Sequence, residues 1–377
     1  MWVSFVKIWR YFLLYGLGRT YIKVIGRLRY GLFNFQIRKK KKRYISIVGC
    51  GQFSFSTICF FLYKLLGNVF LGCFDINLDN ASTLARFHKF RYKTNSFEDL
   101  ISDHEMKILY IASNHYSHTE YALKALEKGK IVYIEKPLSI SYDQFIELLK
   151  AEEKSCGNVF AGYNRPYSKA VEILKRNIKH NKSAFTLGCY INGHVISKDH
   201  WYRDEKEGTR ICGNVGHWLD LSVHLLNFRS TMPEMFRIRI TYSNKEVPDD
   251  NINITYSTDY GDIVSITITS RTEPFEGISE IINFQNDEVI AKIDDFRKMV
   301  LWKGAKKLSK RFWPKDVGHK KAISQPFIKN TREWKEVELS TILMLHITDM
   351  VKSGEEMSDF NLVKKHSELM KIVKCDR

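Results

Sequence analysis

Residues 44–54, Tyr44-Ile45-Ser46-Ile47-Val48-Gly49-Cys50-Gly51-Gln52-Phe53-Ser54, run from a short apolar strand through a Gly-x-Gly turn into a helical pattern. That order constrains the fold more than the glycines do, because strand, tight turn and helix in sequence open a βαβ unit. Gly49 permits the turn, Gly51 lets a ligand approach the backbone, and Ser54 takes the third, small position. Free N–H groups at the start of the helix face a diphosphate in such a unit. The next strand, residues 69–74, ends at Asp75, where a carboxylate can bind both hydroxyls of an adenosine ribose. The interval from Gly49 to Asp75 exceeds the usual ~20 residues, so the first helix is expected to carry an extra turn. Together these features predict a dinucleotide site.

From 44 to 163 the pattern alternates strand and helix. Strands are expected at 44–48, 69–74, 107–112, 131–134 and 158–162, with a weak one near 89–93, and helices at 53–66, 79–87, 96–102, 117–128 and 141–153. Short apolar strands alternating with helices imply a doubly wound parallel sheet whose ligands sit beyond the carboxyl ends of the strands. After Tyr163 the texture changes. A helix at 166–179 leads to a strand at 184–191 and a helix at 214–227, followed by alternating strands near 236–243, 251–257, 262–270, 278–285 and 288–293. Val264, Ile266 and Ile268 face one side while Ser265, Thr267 and Thr269 face the other, which describes an antiparallel sheet with one wet face. Segments 337–351 and 359–374 read as helices. The expected fold class is therefore α/β, a Rossmann domain over 44–163 followed by an α+β domain over 164–377 with an open-faced, mostly antiparallel sheet.

Residues 1–43 stand apart. They hold twelve Lys or Arg and no Asp or Glu, so +12 of the net +17 lies there and +5 remains for 44–377. Trp2, Phe5, Ile8, Trp9, Phe12 and Leu13 recur at helical spacing, Gly16 and Gly18 interrupt, and Tyr21, Ile25, Leu28 and Leu32 resume before the basic run 38–43. No stretch approaches the ~18 apolar residues of a membrane span, and Lys7 and Arg10 break the apolar core that a signal peptide needs. A basic amphipathic extension of this kind suits the surface of an anionic membrane. No RNA- or DNA-binding module accompanies the charge, so nucleic acid is not an expected partner. Seven cysteines, without a C-x-x-C pair, suggest reduced thiols in a cytoplasmic protein rather than a disulfide framework or a zinc ribbon.

Two constellations carry chemistry. Glu135-Lys136-Pro137 closes the fifth strand, at the sheet edge where a dinucleotide would lie. In the run Gly213-Asn214-Val215-Gly216-His217-Trp218-Leu219-Asp220-Leu221-Ser222-Val223-His224, helical spacing puts His217 and His224 within about 20° of each other and Asp220 roughly 60° away. All three share one face. No ligand cluster from another element joins them, so no metal is expected.

The turn Gly49-x-Gly51-x-x-Ser54, Ser113-Asn114 with His118, Glu135-Lys136-Pro137, Asn164-Arg165-Pro166 and Asp220-x-x-x-His224 together resemble the Gfo/Idh/MocA family of oxidoreductases over roughly 44–300. The segment Asp199-His200-Trp201-Tyr202-Arg203-Asp204 and the later Arg210-Ile211-x-Gly213 resemble members that act on sugars or nucleotide sugars in bacterial surface-polysaccharide synthesis. The resemblance implies NAD as cofactor, with NADP the lesser alternative, and Lys136 and His224 as the proton-handling pair with Asp220 as an orienting group. It implies a dinucleotide held by Gly49, Gly51, Gln52, Phe53, Ser54 and Asp75, with Ser113, Asn114, His118, Glu135 and Arg165 toward the nicotinamide. It further implies a substrate met by Lys136, Trp201, Arg203, Arg210, His217, Asp220 and His224, and a homo-oligomer formed through the open-faced sheet. Ser54 in place of glycine, Thr209 within the expected glycine cluster and Asn214 where related polysaccharide enzymes carry Glu depart from the pattern and bear on substrate identity. The competing expectation is a nicotinamide-binding but non-catalytic peripheral membrane or scaffold protein, against which stands the presence of both Lys136 and His224.

Overall fold

The computed structural model describes residues 2–29, 41–155, 158–178, 183–229, 231–329 and 332–375. Leu32, Cys156 and half of the basic run 38–43 lie outside them. The chain forms two compact units, one of residues 1–139, 143–162 and 319–331, the other of 140–142, 163–318 and 332–377.

The first unit is a six-stranded parallel sheet built from β1 (Ile45–Val48), β2 (Phe70–Phe74), β3 (Tyr92–Thr94), β4 (Ile108–Ile111), β5 (Ile131–Ile134) and β6 (Val159–Ala161). Its order is β3-β2-β1-β4-β5-β6, so the direction of winding reverses between β1 and β4. Strands β1, β2 and β4 are buried at every residue, which is why they read as continuous apolar runs without alternation. The helix after β1 begins as a π-helical turn, Ser54–Ile58, and continues as Cys59–Leu66. The extra length anticipated between Gly49 and Asp75 thus includes a π-helical start, a local form concentrated at functional sites. Helix Leu78–His88 opens on Asn77, whose side chain accepts from the N–H groups of Asp79 and Asn80, and closes on Lys89 in the left-handed region. A late segment returns to this unit: the Tyr110 hydroxyl donates to Ile323 O at 2.6 Å, and Gln325 Nε2 donates to Ala161 O at 2.8 Å.

The basic extension forms helix Trp2–Leu28, broken at Gly16, whose backbone turns to φ 77°, ψ 171°. The part after the break packs on the first unit. Ile25 is buried in the core with Phe55, and a Cβ at Gly26 would come within 2.8 Å of the Phe55 ring. Before the break an apolar row stays in solvent, with Phe5 61%, Trp9 52% and Leu13 53% exposed. No described helix is long and apolar enough to cross a membrane.

The second unit is a nine-stranded sheet with helices on one face. Its strands are β7 (Phe185–Asn192), β8 (Met235–Tyr242), β9 (Ile252–Thr258), β10 (Ile263–Thr269), β11 (Ser279–Asn286), β12 (Val289–Asp294), β13 (Lys298–Lys303), β14 (Lys306–Arg311) and β15 (Met357–Asn361), in the order β14-β13-β12-β11-β7-β10-β9-β8-β15. Every neighbouring pair is antiparallel except β7 with β10. Strict alternation of buried and exposed residues in β9 and β11 shows one face packed and the other wet. Helices Gly216–Asn227 and Trp334–Ser353 pack against each other in this unit, and Val264, Ile266 and Ile268 point to the packed face. The architecture is the expected one, a doubly wound parallel sheet plus a mostly antiparallel open-faced sheet, and β13, β14 and β15 extend the second sheet beyond the strands that periodicity marks.

Candidate active site

In the first unit the Gly-x-Gly turn has the geometry that close backbone approach demands. Gly49 sits at φ 83°, and a Cβ there would fall 2.3 Å from Ala112 O, so no side chain fits. A Cβ at Gly51 would meet nothing within 4 Å, so the protein leaves that side of the turn open. Ser54 is buried and its hydroxyl donates back to Gly49 O, bracing the turn from within. The Asp75 carboxylate accepts from Cys50 N at 2.7 Å and from Asn77 N at 2.8 Å. A carboxylate has about four acceptor sites, so two remain for ribose hydroxyls. The residues present therefore fit an adenosine diphosphate end: a glycine-lined turn, an open flank and a half-exposed acid held at the turn's middle residue.

The C-terminal part of the extension adjoins this turn. Arg29 Nη2 donates to Cys50 O at 2.9 Å and Nη1 to Thr83 Oγ1 at 3.1 Å, while Gln52 Nε2 donates to Lys23 O at 3.1 Å. Burial lowers the Arg29 pKa, and the nearby Cys50 and Asp75 act in the opposite direction. Sequence reasoning did not find Arg29, because it lies 21 positions from the carbonyl it holds and outside the nucleotide fold.

At the carboxyl ends of β4 and β5 the structure gathers Ser113, Asn114, His118, Glu135 and Lys136. Ser117 Oγ lies 2.7 Å from Asn114 Oδ1 and 2.8 Å from Ser113 Oγ, within hydrogen-bonding reach of both, tying the loop to the helix that follows. His118 is buried between two carbonyls, Nδ1 at 2.7 Å from Pro137 O and Nε2 at 3.1 Å from Ser113 O. Burial pulls its pKa down to about 4, so at neutral pH the uncharged ring carries one N–H and donates to one of these two carbonyls. Burial likewise pushes the Glu135 carboxyl up to about 7, against the pull of Lys136 and the hydrogen bond from Tyr133. Lys136 itself is half-buried, and its peptide bond to Pro137 is cis.

In the second unit helix Gly216–Asn227 carries His217, Asp220 and His224, preceded by a π-helical turn over Ile211–Val215. Asp220 is fully buried and accepts from Arg332 through both oxygens at 2.8 Å, with Ser340 Oγ donating to Oδ1 at 2.9 Å. His224 Nδ1 lies 2.6 Å from Glu336 Oε1, and Nε2 lies 3.1 Å from Lys175 Nζ. Burial lowers the His224 pKa, Glu336 raises it, and Arg332 and Lys175 lower it further. Burial would raise the Glu336 carboxyl, but Arg332 and then His224 outweigh it and hold it well below the usual range. His217 is half-buried, edge-on to Tyr163 at 6.3 Å between ring centres.

The remaining candidates form two other clusters in this unit. Arg165 is buried against Glu280 at 3.0 Å and over the Trp218 ring at 4.9 Å, and Glu280 also accepts from Trp218 Nε1 at 2.6 Å. Arg203 and Arg210 converge on Asp250 at 2.8 and 2.9 Å, and Arg210, 1% exposed, also reaches Ser270 Oγ and His194 O. Trp201 stands beside them, 44% exposed. Lys175, Arg332 and Glu336 are residues that motif reading missed. They come from helix Lys169–Asn177 and from the start of helix Trp334–Ser353, and a solvated charge pattern is all that their local sequence displays.

Residues 43–163 match the Gfo/Idh/MocA family, described as an oxidoreductase family with an NAD-binding Rossmann fold. Glucose-6-phosphate 3-dehydrogenase of Bacillus subtilis is 30% identical over 42% of this chain and 44% of its own length. Inositol 2-dehydrogenase of Serratia proteamaculans is 29% identical over 35% of this chain and 40% of its own. The chain thus spans less than half the length of these curated relatives. Across nearly the whole fold it resembles GenD2 from gentamicin A biosynthesis, solved in complex with NAD, at a TM-score of 0.70 with 15% identity, covering 88% of this chain and all of that one. Over residues 43–163 the chain is thus similar to the NAD-binding Rossmann domain of the Gfo/Idh/MocA oxidoreductases.

Proposed function

We propose that the protein is an NAD-dependent oxidoreductase that moves a hydride between the nicotinamide and a hydroxyl or keto group of a sugar or nucleotide sugar, in surface-polysaccharide synthesis. The observation that carries this reading is the Gly49–Gly51 turn with Asp75 hydrogen-bonded to its middle residue. Gly49, Gly51, Gln52, Phe53, Ser54 and Asp75 hold the dinucleotide, and Ser113, Asn114 and Glu135 border the nicotinamide. The cofactor, when bound, supplies the hydride chemistry. His224 takes up or returns the hydroxyl proton, Lys136 stabilises the developing charge on oxygen, and Asp220 orients. The related enzymes named for glucose 6-phosphate and inositol favour a polyhydroxylated substrate.

Asp75 favours NAD because a carboxylate repels a 2′-phosphate, whereas Arg29, beside the same turn, is the observation that favours NADP. Titrating both dinucleotides by intrinsic fluorescence is expected to show tighter NAD binding. Clearly tighter NADP binding would assign the phosphate to Arg29 and overturn the NAD preference.

The open face of the nine-stranded sheet carries exposed Tyr190, Ile263, Ile281 and Ile290 among polar residues, and this face suits association into a homo-oligomer. The first helical segment, with Phe5, Ile8, Trp9 and Leu13 exposed and Lys7 and Arg10 beside them, suits peripheral contact with the cytoplasmic face of a membrane. Each basic residue near an anionic surface adds about 1 kcal/mol of attraction at moderate salt. Full-length protein is expected to co-sediment with vesicles containing anionic lipid at low salt, and a form starting at Arg43 is expected to stay in the supernatant. A full-length protein that also stays in the supernatant makes the exposed row a protein contact.

A further inference from the structure

We infer that Glu336 is a positioning residue that decides which imidazole nitrogen of His224 is free to accept a proton. The inference rests on the reading of His224 as the proton acceptor and adds the group that makes it one. His224 is 5% exposed, so its protonation is governed by the protein groups around it and not by bulk water. Those groups are Lys175 from helix Lys169–Asn177, Glu336 and Arg332 from the start of helix Trp334–Ser353, and Asp220 one turn earlier on its own helix.

The hydrogen bonds on the two sides of the ring agree on one tautomer. A lysine ammonium has three hydrogens to donate and no lone pair, so the contact from Lys175 Nζ to Nε2 at 3.1 Å requires a lone pair on Nε2. An uncharged imidazole with its lone pair on Nε2 carries hydrogen on Nδ1. Nδ1 faces Glu336 Oε1 at 2.6 Å, an ionised acceptor suited to that hydrogen. Free histidine prefers the opposite form, with hydrogen on Nε2, so Glu336 reverses an intrinsic preference. The carboxylate is itself immobilised, because Arg332 binds it and its second oxygen accepts from Asn227 Nδ2 at 3.1 Å.

This arrangement specifies the proton path. In the oxidation direction the hydroxyl of the substrate replaces the Lys175 ammonium as donor to Nε2, and its proton passes to that nitrogen as the hydride leaves carbon. The ring becomes imidazolium, with its Nδ1–H still on Glu336, which compensates the new charge. In the reduction direction the same nitrogen returns the proton. Lys175 keeps Nε2 hydrogen-bonded before substrate arrives, so the buried lone pair is never left unsatisfied.

The test is ring-15N histidine NMR on full-length protein, with the His224 signals assigned by their loss in His224→Asn. Wild type is expected to show protonated Nδ1 and a lone-pair Nε2 at neutral pH. Glu336→Gln keeps an acceptor oxygen and loses the charge, so the tautomer should persist while the imidazolium titrates at lower pH. Glu336→Ala removes the acceptor, and the Nδ1–H signal should be lost in favour of Nε2–H. Wild-type tautomer and titration in Glu336→Ala would overturn the inference. Should that variant fail to fold, an unshifted His224 titration in Glu336→Gln would overturn it equally. A tautomer change in Glu336→Ala with undiminished turnover would leave the positioning role intact and remove His224 from the reaction instead.

Discussion

Lys136→Ala and His224→Ala are each expected to lower turnover by a factor on the order of a hundred or more while leaving dinucleotide affinity near wild type. Oxidising a secondary alcohol removes a hydride from carbon and a proton from the hydroxyl, and the proton needs a base already in place. His224 qualifies by geometry: its ring is held at both nitrogens, and the nitrogen opposite Glu336 presents a lone pair. Lys136 qualifies by position at the carboxyl end of β5, beside the Glu135 carboxyl that burial makes easy to protonate. A cation there stabilises the alkoxide that develops before hydride departure. Dinucleotide titration of each variant should separate a chemical defect from a folding defect. Turnover close to wild type in both variants, once a sugar substrate is in hand, would defeat the assignment.

The nucleotide fold was open to reading because its central strands β1, β2 and β4 are wholly buried. Four- and five-residue apolar runs such as Ile45–Val48 and Phe70–Phe74 have no other stable environment, and the Gly-x-Gly turn punctuates the first of them. In the second unit, alternation carries the same information for β9, β10 and β11, since one face is packed and the other wet. Edge strand β14 escaped because Lys306–Arg311 has one neighbour and no buried residue, so nothing imposes alternation on it. Its basic residues are the kind that keep an exposed edge from pairing with another chain.

The candidate site was only half legible, for a different reason. Asp220 and His224 share a helix face that periodicity predicts, but their partners Arg332 and Glu336 stand 112 positions away, and local pattern holds no record of such pairings. Arg29 is similar: nothing in an amphipathic basic helix marks its last arginine as the one that holds Cys50 O.

Arg332→Leu is expected to destabilise the second unit by about 3–5 kcal/mol, the usual consequence of removing one partner of a buried ion pair. Arg332 is buried and serves two carboxylates at once, Asp220 through paired hydrogen bonds at 2.8 Å and Glu336 in the first turn of the helix that follows it. Leucine fills much of the volume but leaves both acids uncompensated, so the loss is one of charge pairing and not of packing. The pH dependence carries the sign of that argument. In wild type the Glu336 pKa is depressed, so its contribution is present above the ordinary carboxylate value of 4.5 and is lost as pH falls below it. Without Arg332 the buried carboxylates gain by taking up protons, so acid relieves the variant while it weakens wild type. The gap in unfolding free energy between the two should therefore narrow as the pH is lowered from 7 toward 4. Adding Asp220→Asn to Arg332→Leu should recover part of the loss at neutral pH, because one of the stranded charges is gone. Urea unfolding followed by tryptophan fluorescence measures all three quantities. A single variant within about 0.5 kcal/mol of wild type, the range of ordinary surface substitutions, or a gap that widens in acid, would show that Arg332 does not hold the Asp220 and Glu336 charges in place.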